Sequence, residues 1–353
     1  MTEPWQQFEQ LMWRDPGGRG VSGYLHRGQP LAQGQLAAAV ESLATTSGAV
    51  AIATGFWIPT PDGGAAETDG PPGALYLARA FAALGRDVVL VTDSFGVPLL
   101  EAGCDALGLP RECIVEFPFE SPEVDHPHRA SNAAECNAVS DRFVDTFLAS
   151  PQGQRIDHLI SIERAGPSHT VQSYRNCPPE DVDDACFETD VPEHDRDICH
   201  NMRGESINAC TAKIHRLFEV ASARTTIKTI GIADGGNEIG MGRYPWYVLR
   251  KAIAFGPAAR VACRIPTDFG LLAGVSNWGG YALALALCHR LGRLDLAAAW
   301  DLEDQRRLVA AIVAEGGGVD GVTRQRQATV DGLPLETYLQ PLYGFRQVLG
   351  LDD

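Results

Sequence analysis

Residues 226–242 read TIKTIGIADGGNEIGMG, an apolar and β-branched run that stops at Asp234 and passes directly into a glycine-rich loop. A short run of this kind is what a strand buried on both faces requires. The pattern recurs upstream: Ala49 to Ala53, Val88 to Val91, Cys113 to Phe117 and His158 to Ile162 also read as buried strands. Helical spacing fills the intervals at residues 33–46, 73–85, 96–107, 130–149 and 207–222. Strands alternating with helices specify an α/β fold with a mostly parallel sheet and helices on both faces. Ligands of such sheets bind beyond the carboxyl ends of the strands. The loops there carry Thr68-Asp69-Gly70, Asp93, Glu163-Arg164 and Asp234-Gly235-Gly236-Asn237-Glu238.

Downstream, Phe269 to Cys288 lacks charge over 20 residues, the length of a membrane span. Gly270, Gly274, Ser276, Asn277, Gly279 and Gly280 interrupt it, so it reads as a buried strand, a polar loop and a buried helix. A helix near 301–315, a turn at Gly316-Gly317-Gly318, a short hairpin around 320–332 and a terminal helix complete the chain. Residues 167–200 break the pattern with Pro178, Pro179, Pro192 and many acids, and read as a surface excursion.

The 353 residues are 45% hydrophobic and 21% charged, enough for a substantial core. A formal charge of -16 argues against nucleic-acid and anionic-membrane partners, which need clustered Lys and Arg. It leaves room for a small acidic substrate, because a few local arginines or helix N-termini suffice to hold carboxylates. The N-terminus, MTEPWQQFEQLMWRDPGG, has neither a basic start nor an apolar core, so no export or transit signal is expected and the location reads as cytoplasmic. Nine scattered cysteines without a CxxC pair agree with reduced thiols.

The Asp234 loop combines two glycines that let backbone N–H groups approach a ligand with the acids Asp234 and Glu238 and the amide of Asn237. Such a set suits a hard divalent cation or an ammonium group. It also fits a glycine-rich turn with capping acids. It is neither a P-loop, since Met241-Gly242 replace Lys and Ser or Thr, nor a dinucleotide fingerprint, since Pro245 holds the third glycine position. ETDGPPG at 67–73 places Pro71 and Pro72 in a first helical turn, with Thr68 or Asp69 as cap and the helix N-terminus as a carboxylate site. Asp93 also reads as a cap. At Glu163-Arg164 the acid could serve as general base and the guanidinium as a bidentate clamp, or the two as a plain ion pair. Arg203 in NMRG offers a second cation. His169, Cys177, Cys186, His194, Cys199 and His200 have spacings that match no usual zinc pattern.

ETDGPPGA, a Val-rich strand ending in TD, ISIERAG, NMRG, IADGGNEIGMG and GVSNWGGYAL follow one another in this order. Together they resemble the D-glutamate cyclase family over residues 20–345. The resemblance implies a single α/β domain of Rossmann-like kind, with residues 1–19 as an N-terminal extension and 167–200 as an insertion where family members are shorter. It implies a lyase that closes D-glutamate to 5-oxo-D-proline with loss of water.

On that basis Glu163 is the expected base. Gly235, Gly236 and Asn237 form a cradle for an oxyanion or carboxylate, and Arg164 and Arg203 hold the α-carboxylate. Asp234 and Glu238, with Glu163, bind the ammonium or a divalent cation, Mg²⁺ or Mn²⁺. Thr68, Asp69, Gly70 and Asn277 are further expected substrate contacts. No cofactor is certain from the sequence, and homo-oligomerisation stays open. Two other functions fit the same loops: a metal-dependent hydrolase or phosphatase acting on a small acidic metabolite through the acids, and a module whose glycine-rich loops cradle a nucleotide-like ligand.

Overall fold

The apolar runs form adjacent strands of one sheet in a computed structural model, which describes residues 4–18, 24–26, 28–118, 133–176, 184–224, 226–254 and 256–351. The strands are β1 (Ala49–Thr54), β2 (Val88–Thr92), β3 (Ile114–Glu116), β4 (Ile156–Ile162), β5 (Lys228–Ala233) and β6 (Phe269–Leu272). All pair in parallel, in the order β3-β2-β1-β4-β5-β6. This is the doubly wound arrangement, in which strand order reverses between β1 and β4 and opens a crevice at their carboxyl ends.

The period of two along each strand divides the core. Val50 and Ile52 of β1 and Leu90 of β2 face one cluster, whereas Ala49, Ala51, Ala53, Val89 and Val91 face the other. Helices α1 (Trp5–Met12), α2 (Gln35–Ala44), α3 (Pro71–Ala83) and α4 (Val97–Leu107) contribute to the first cluster. Helix α5 (Ala133–Ala149) and helix α6 (His215–Ser222) pack on the opposite face. Helix α7 (Ser276–Arg290) runs through the first cluster, and its residues 276–288 are all buried. Its lack of charge therefore reflects burial inside protein, and among the described residues no helix is long and apolar enough to cross a membrane.

Three expectations need correction. Helix α6 starts at His215 rather than near 207, because residues 207–214 form a tight turn in which Thr211 Oγ1 donates to the Ile207 carbonyl at 2.9 Å. Of the expected 1–19 extension, the described residues 4–18 are not set apart by packing: α1 inserts Trp5, Phe8 and Met12 into the core, and Phe8 meets Phe345 with ring centroids 4.8 Å apart. The boundary at residue 20 itself lies outside the described residues.

The 167–200 segment is also more than a surface excursion. It contributes two short helices, Val171–Arg175 and Asp184–Asp190, and docks through an aromatic triad. Phe187 stacks on Tyr174 at 4.7 Å and meets Trp246 edge-on at 5.0 Å, and both Phe187 and Val191 are fully buried. The zinc spacing gains no support, since the only group of acids, histidines and cysteines close enough to share an ion among the described residues lies elsewhere. Cys177, Pro178, Pro179 and residues 130–132 of the expected helix lie outside the described residues.

Candidate active site

At the crevice, the loops after β1, β4 and β5 border a cavity of about 650 Å³ that contains Phe56, Glu163 and Asp234. The ends of β4 and β5 are joined by hydrogen bonds between their loops: Gly166 N–H donates to Asn237 O and Ile239 N–H to Arg164 O, each at 2.9 Å. Gly231 and Gly240 are glycines because this loop folds back onto its own strand. A Cβ on Gly231 would stand 2.5 Å from Gly240 Cα. Gly240, one of the two glycines at phosphate-loop spacing, is thus needed for packing.

Glu163 leaves β4 in a left-handed backbone conformation, φ 45°, a state a non-glycine residue adopts only when its surroundings enforce it. Its Oε2 accepts a 2.6 Å hydrogen bond from Ser276 Oγ at the start of α7. Asp69 caps the same helix from a loop more than 200 residues away, accepting from Ser276 N–H at 2.8 Å and Asn277 N–H at 2.9 Å. Gly70 lies beneath this junction with φ 97°, and a Cβ there would approach Glu163 Cβ to 2.8 Å. Carboxylate oxygens of Asp69, Glu163 and Asp234 all fall within 4.8 Å of one another.

Burial of this group has an electrostatic consequence. The Glu163 carboxyl is pushed well above its ordinary range by burial, and further by the charges of Asp234, Glu238, Glu67 and Asp69. Asp69 moves the same way, through burial first and then Asp331, Asp234 and Glu67, although Asn277 N–H opposes the shift. Carboxylates crowded like this are stabilised by a proton, an ammonium group or a metal ion between them.

The other expected site residues divide sharply. Glu238 is fully buried, and its two oxygens accept from the N–H groups of Asp234 (3.3 Å), Gly235 (2.7 Å) and Gly236 (2.6 Å). The glycine N–H groups therefore point at the protein's own carboxylate, which fills the cradle expected for a ligand. Asp69 stands in the acid cluster where Glu238 was expected. Arg164 is 1% exposed and turned away from the cavity, donating to Asp93 at 2.7 Å, Gly55 O at 2.7 Å and Ala212 O at 2.8 Å. Asp93 is thus its partner rather than a helix cap. Asn277 organises the turn before α3: its Oδ1 accepts from Gly70 and Gly73 N–H, and its Nδ2 donates to Thr68 O. Thr68 Oγ1 donates to Thr329 O at 2.8 Å, which ties that turn to the C-terminal loop.

Arg203 and Asn237 do reach the cavity. Asn237 Nδ2 donates to His200 O at 2.7 Å, so the end of the 167–200 segment sets its orientation. Its Oδ1, buried and at the cavity wall, has no hydrogen-bond partner among the described residues. An amide oxygen so placed suits an N–H donor of a ligand.

Tyr24, Glu67, Arg324 and Asp331 are among the cavity-lining residues with no role assigned from the sequence. Tyr24 hydroxyl donates to Gly235 O at 2.8 Å. Arg324 and Asp331 arrive on the loop that precedes and forms the hairpin of Thr329–Val330 with Leu333–Pro334. The only signal for Asp331 is its pairing with Gly332, a dipeptide that marks a two-residue hairpin turn but says nothing of a cavity.

Buried Asp320 holds this loop. Its Oδ1 accepts from the N–H groups of Val322 (2.9 Å) and Thr323 (2.8 Å), and its Oδ2 from Thr329 Oγ1 (2.6 Å) and Gly332 N–H (2.7 Å). Asp320→Ala leaves these donors unsatisfied and is expected to cost on the order of 3 kcal/mol in urea unfolding. A loss below about 1 kcal/mol would show that the loop holds without it.

The family model described as D-glutamate cyclase-like, C-terminal, matches residues 8–191 and 189–343. A curated relative, "D-glutamate cyclase, mitochondrial" from Homo sapiens, is 31% identical over 286 residues. That alignment covers 80% of this chain and 38% of the relative, so the chain spans well under half of the relative's length.

Proposed function

This chain belongs to the D-glutamate cyclase-like family, and from that premise we propose that it dehydrates D-glutamate to 5-oxo-D-proline. The observation that carries the reading is the cavity's mixed lining: crowded buried acids, the partnerless Asn237 Oδ1 and the cation Arg203 border one volume. A small molecule with one amine and two carboxylates complements that distribution.

Ring closure forms the bond from the amine nitrogen to the side-chain carboxyl carbon and breaks one carbon–oxygen bond. The ammonium nitrogen gives up two protons, and both end on the departing oxygen as water. Glu163 is placed to carry them, first as base and then as acid. Its raised affinity for a proton, set by burial and the neighbouring acids, favours both taking a proton up and returning it. Ser276 Oγ holds the carboxylate in one orientation during the transfer. Both reacting groups belong to one molecule, so the remaining contribution is to hold the folded conformer. In this reading Arg203 holds the α-carboxylate and Asn237 Oδ1 accepts from the amine.

Asp69, Glu163 and Asp234 have the donor chemistry and spacing for Mg²⁺ or Mn²⁺. A bound ion would offset the charge of the reacting carboxylate as a Lewis acid. If the acids bind it, Mn²⁺ raises the melting temperature of the protein and Asp69→Asn removes most of that rise. Equal shifts in the two proteins would place the ion elsewhere.

A reducing, cytoplasmic setting belongs to the same reading, on the scattered cysteines without a CxxC pair. The nucleotide-binding reading loses its backbone cradle, since Glu238 accepts from the Gly235 and Gly236 N–H groups that a phosphate would need. Proton NMR of the purified protein with D-glutamate and then L-glutamate, with and without Mn²⁺, tests the proposal. The expected product is 5-oxoproline from the D isomer alone. Its absence under every condition would refute the reaction.

A further inference from the structure

We propose that Arg324 joins Arg203 as the carboxylate-recognition end of this cavity, and that Glu205 is an internal carboxylate which a dicarboxylic ligand displaces from the pair. The inference rests on the reading of the cavity as the site of a small acidic amino acid, and it names the groups that select its α-carboxylate.

Arg324 has a left-handed backbone, φ 59°. The described non-glycine residues with positive φ are Glu163, Asp197, Arg324 and Asp331, and all but Asp197 border the cavity. Backbone strain that gathers at one cavity indicates side chains aimed for use there. The Asp320-centred loop enforces the geometry at Arg324, whose N–H donates to Asp320 O at 2.7 Å.

The guanidinium faces Glu205. Arg324 Nη2 lies 3.4 Å from Glu205 Oε2, beyond the roughly 2.7–2.9 Å of a close charge-assisted hydrogen bond. Asn201 Nδ2 donates to the same oxygen at 2.7 Å. The Glu205 carboxyl is held below its ordinary range by Asn201 foremost, and also by the charges of Arg324 and Arg203. Glu205 thus pairs loosely with Arg324 and feels the charge of Arg203, in a half-exposed position where a ligand carboxylate can replace it. The buried acids Asp69, Glu163 and Asp234 favour the amine, which leaves the two arginines to attract the carboxylate that does not react.

Glutarate tests the pairing without chemistry, because it has both carboxylates and no amine to cyclise. Its affinity is measured by calorimetry for the wild type, Arg324→Gln, Arg324→Lys and Glu205→Gln, alongside KM and kcat for D-glutamate. Arg324→Gln is expected to weaken glutarate at least about tenfold, the loss of one charge-assisted contact, with partial recovery in Arg324→Lys. Glu205→Gln is expected to tighten it about threefold or more and to lower KM, a direction that simple loss of structure does not produce.

Unaltered affinity in Arg324→Gln, weaker affinity in Glu205→Gln, or no glutarate binding by the wild type would each overturn the inference. The outcomes also separate this inference from the proposed reaction. The expected glutarate pattern without 5-oxoproline formation would remove the cyclisation and keep the arginine pair. Normal D-glutamate turnover with unchanged KM in Arg324→Gln would remove the pair and keep the cyclisation.

Discussion

Glu163→Gln is expected to lower kcat for D-glutamate by about 10²–10⁴-fold, the range for a lost general base, while raising the melting temperature of the metal-free protein above neutral pH. Both effects follow from one placement. Glutamine can still accept from Ser276 Oγ, so the 2.6 Å contact survives while the proton shuttle is lost.

The stability effect follows from the sign of the pKa shift. Glu163 binds its proton more tightly in the folded chain than at its ordinary value of 4.5, chiefly through burial and then through the neighbouring acids. The stability this contributes is full below that ordinary value and is lost as pH rises through the folded-state value. Asp69 behaves in the same way. Glutamine has no proton to lose, so the variant escapes part of that decline. Melting curves from about pH 5 to about pH 9, paired with NMR turnover, check both effects. A kcat within a few-fold of wild type would remove Glu163 as the base. A variant that melts lower across the whole range would contradict the electrostatic account.

The second large effect is on stability. Arg164→Leu is expected to reduce the unfolding free energy by about 3–5 kcal/mol, the cost of leaving one partner of a buried ion pair alone. Asp93 would remain buried without its cation, and the carbonyls of Gly55 and Ala212 would lose their donor. The variant that remains folded should bind D-glutamate with little change in KM, because the guanidinium does not border the cavity. Urea unfolding and KM together decide the matter. A stable variant with a KM raised tenfold or more would mean that Arg164 reaches the substrate after all.

These two variants concern consecutive residues, and they show where the sequence stops being informative. The dipeptide Glu163-Arg164 at a strand end is visible in the chain as a base beside a clamp. Adjacent residues at a strand end project in opposite directions. Glu163 consequently meets α7 through Ser276, and Arg164 crosses to Asp93 and Ala212. The loop of Asp234 to Glu238 poses the same problem in another form. Its acids look equivalent in sequence, yet Glu238 turns inward onto its own backbone and Asp234 joins Asp69 and Glu163. Nothing in the spacing of two acids four residues apart decides which of them folds the loop.

The sequence by itself determined the α/β order, the strand positions to within a few residues and the loops at which a ligand is met, because apolar period and strand-end position are local properties. Glu163, Asp234 and Asp69 were legible for that reason. The tertiary structure alone decided which acids share a volume, that Glu238 is spent within its loop, and that Arg324 and Asp331 reach the same cavity from a hairpin loop. Asp69 meets Ser276 across 207 positions of chain and Thr68 meets Thr329 across 261. Contacts of that separation depend on how helices pack over the crevice, which no local pattern encodes.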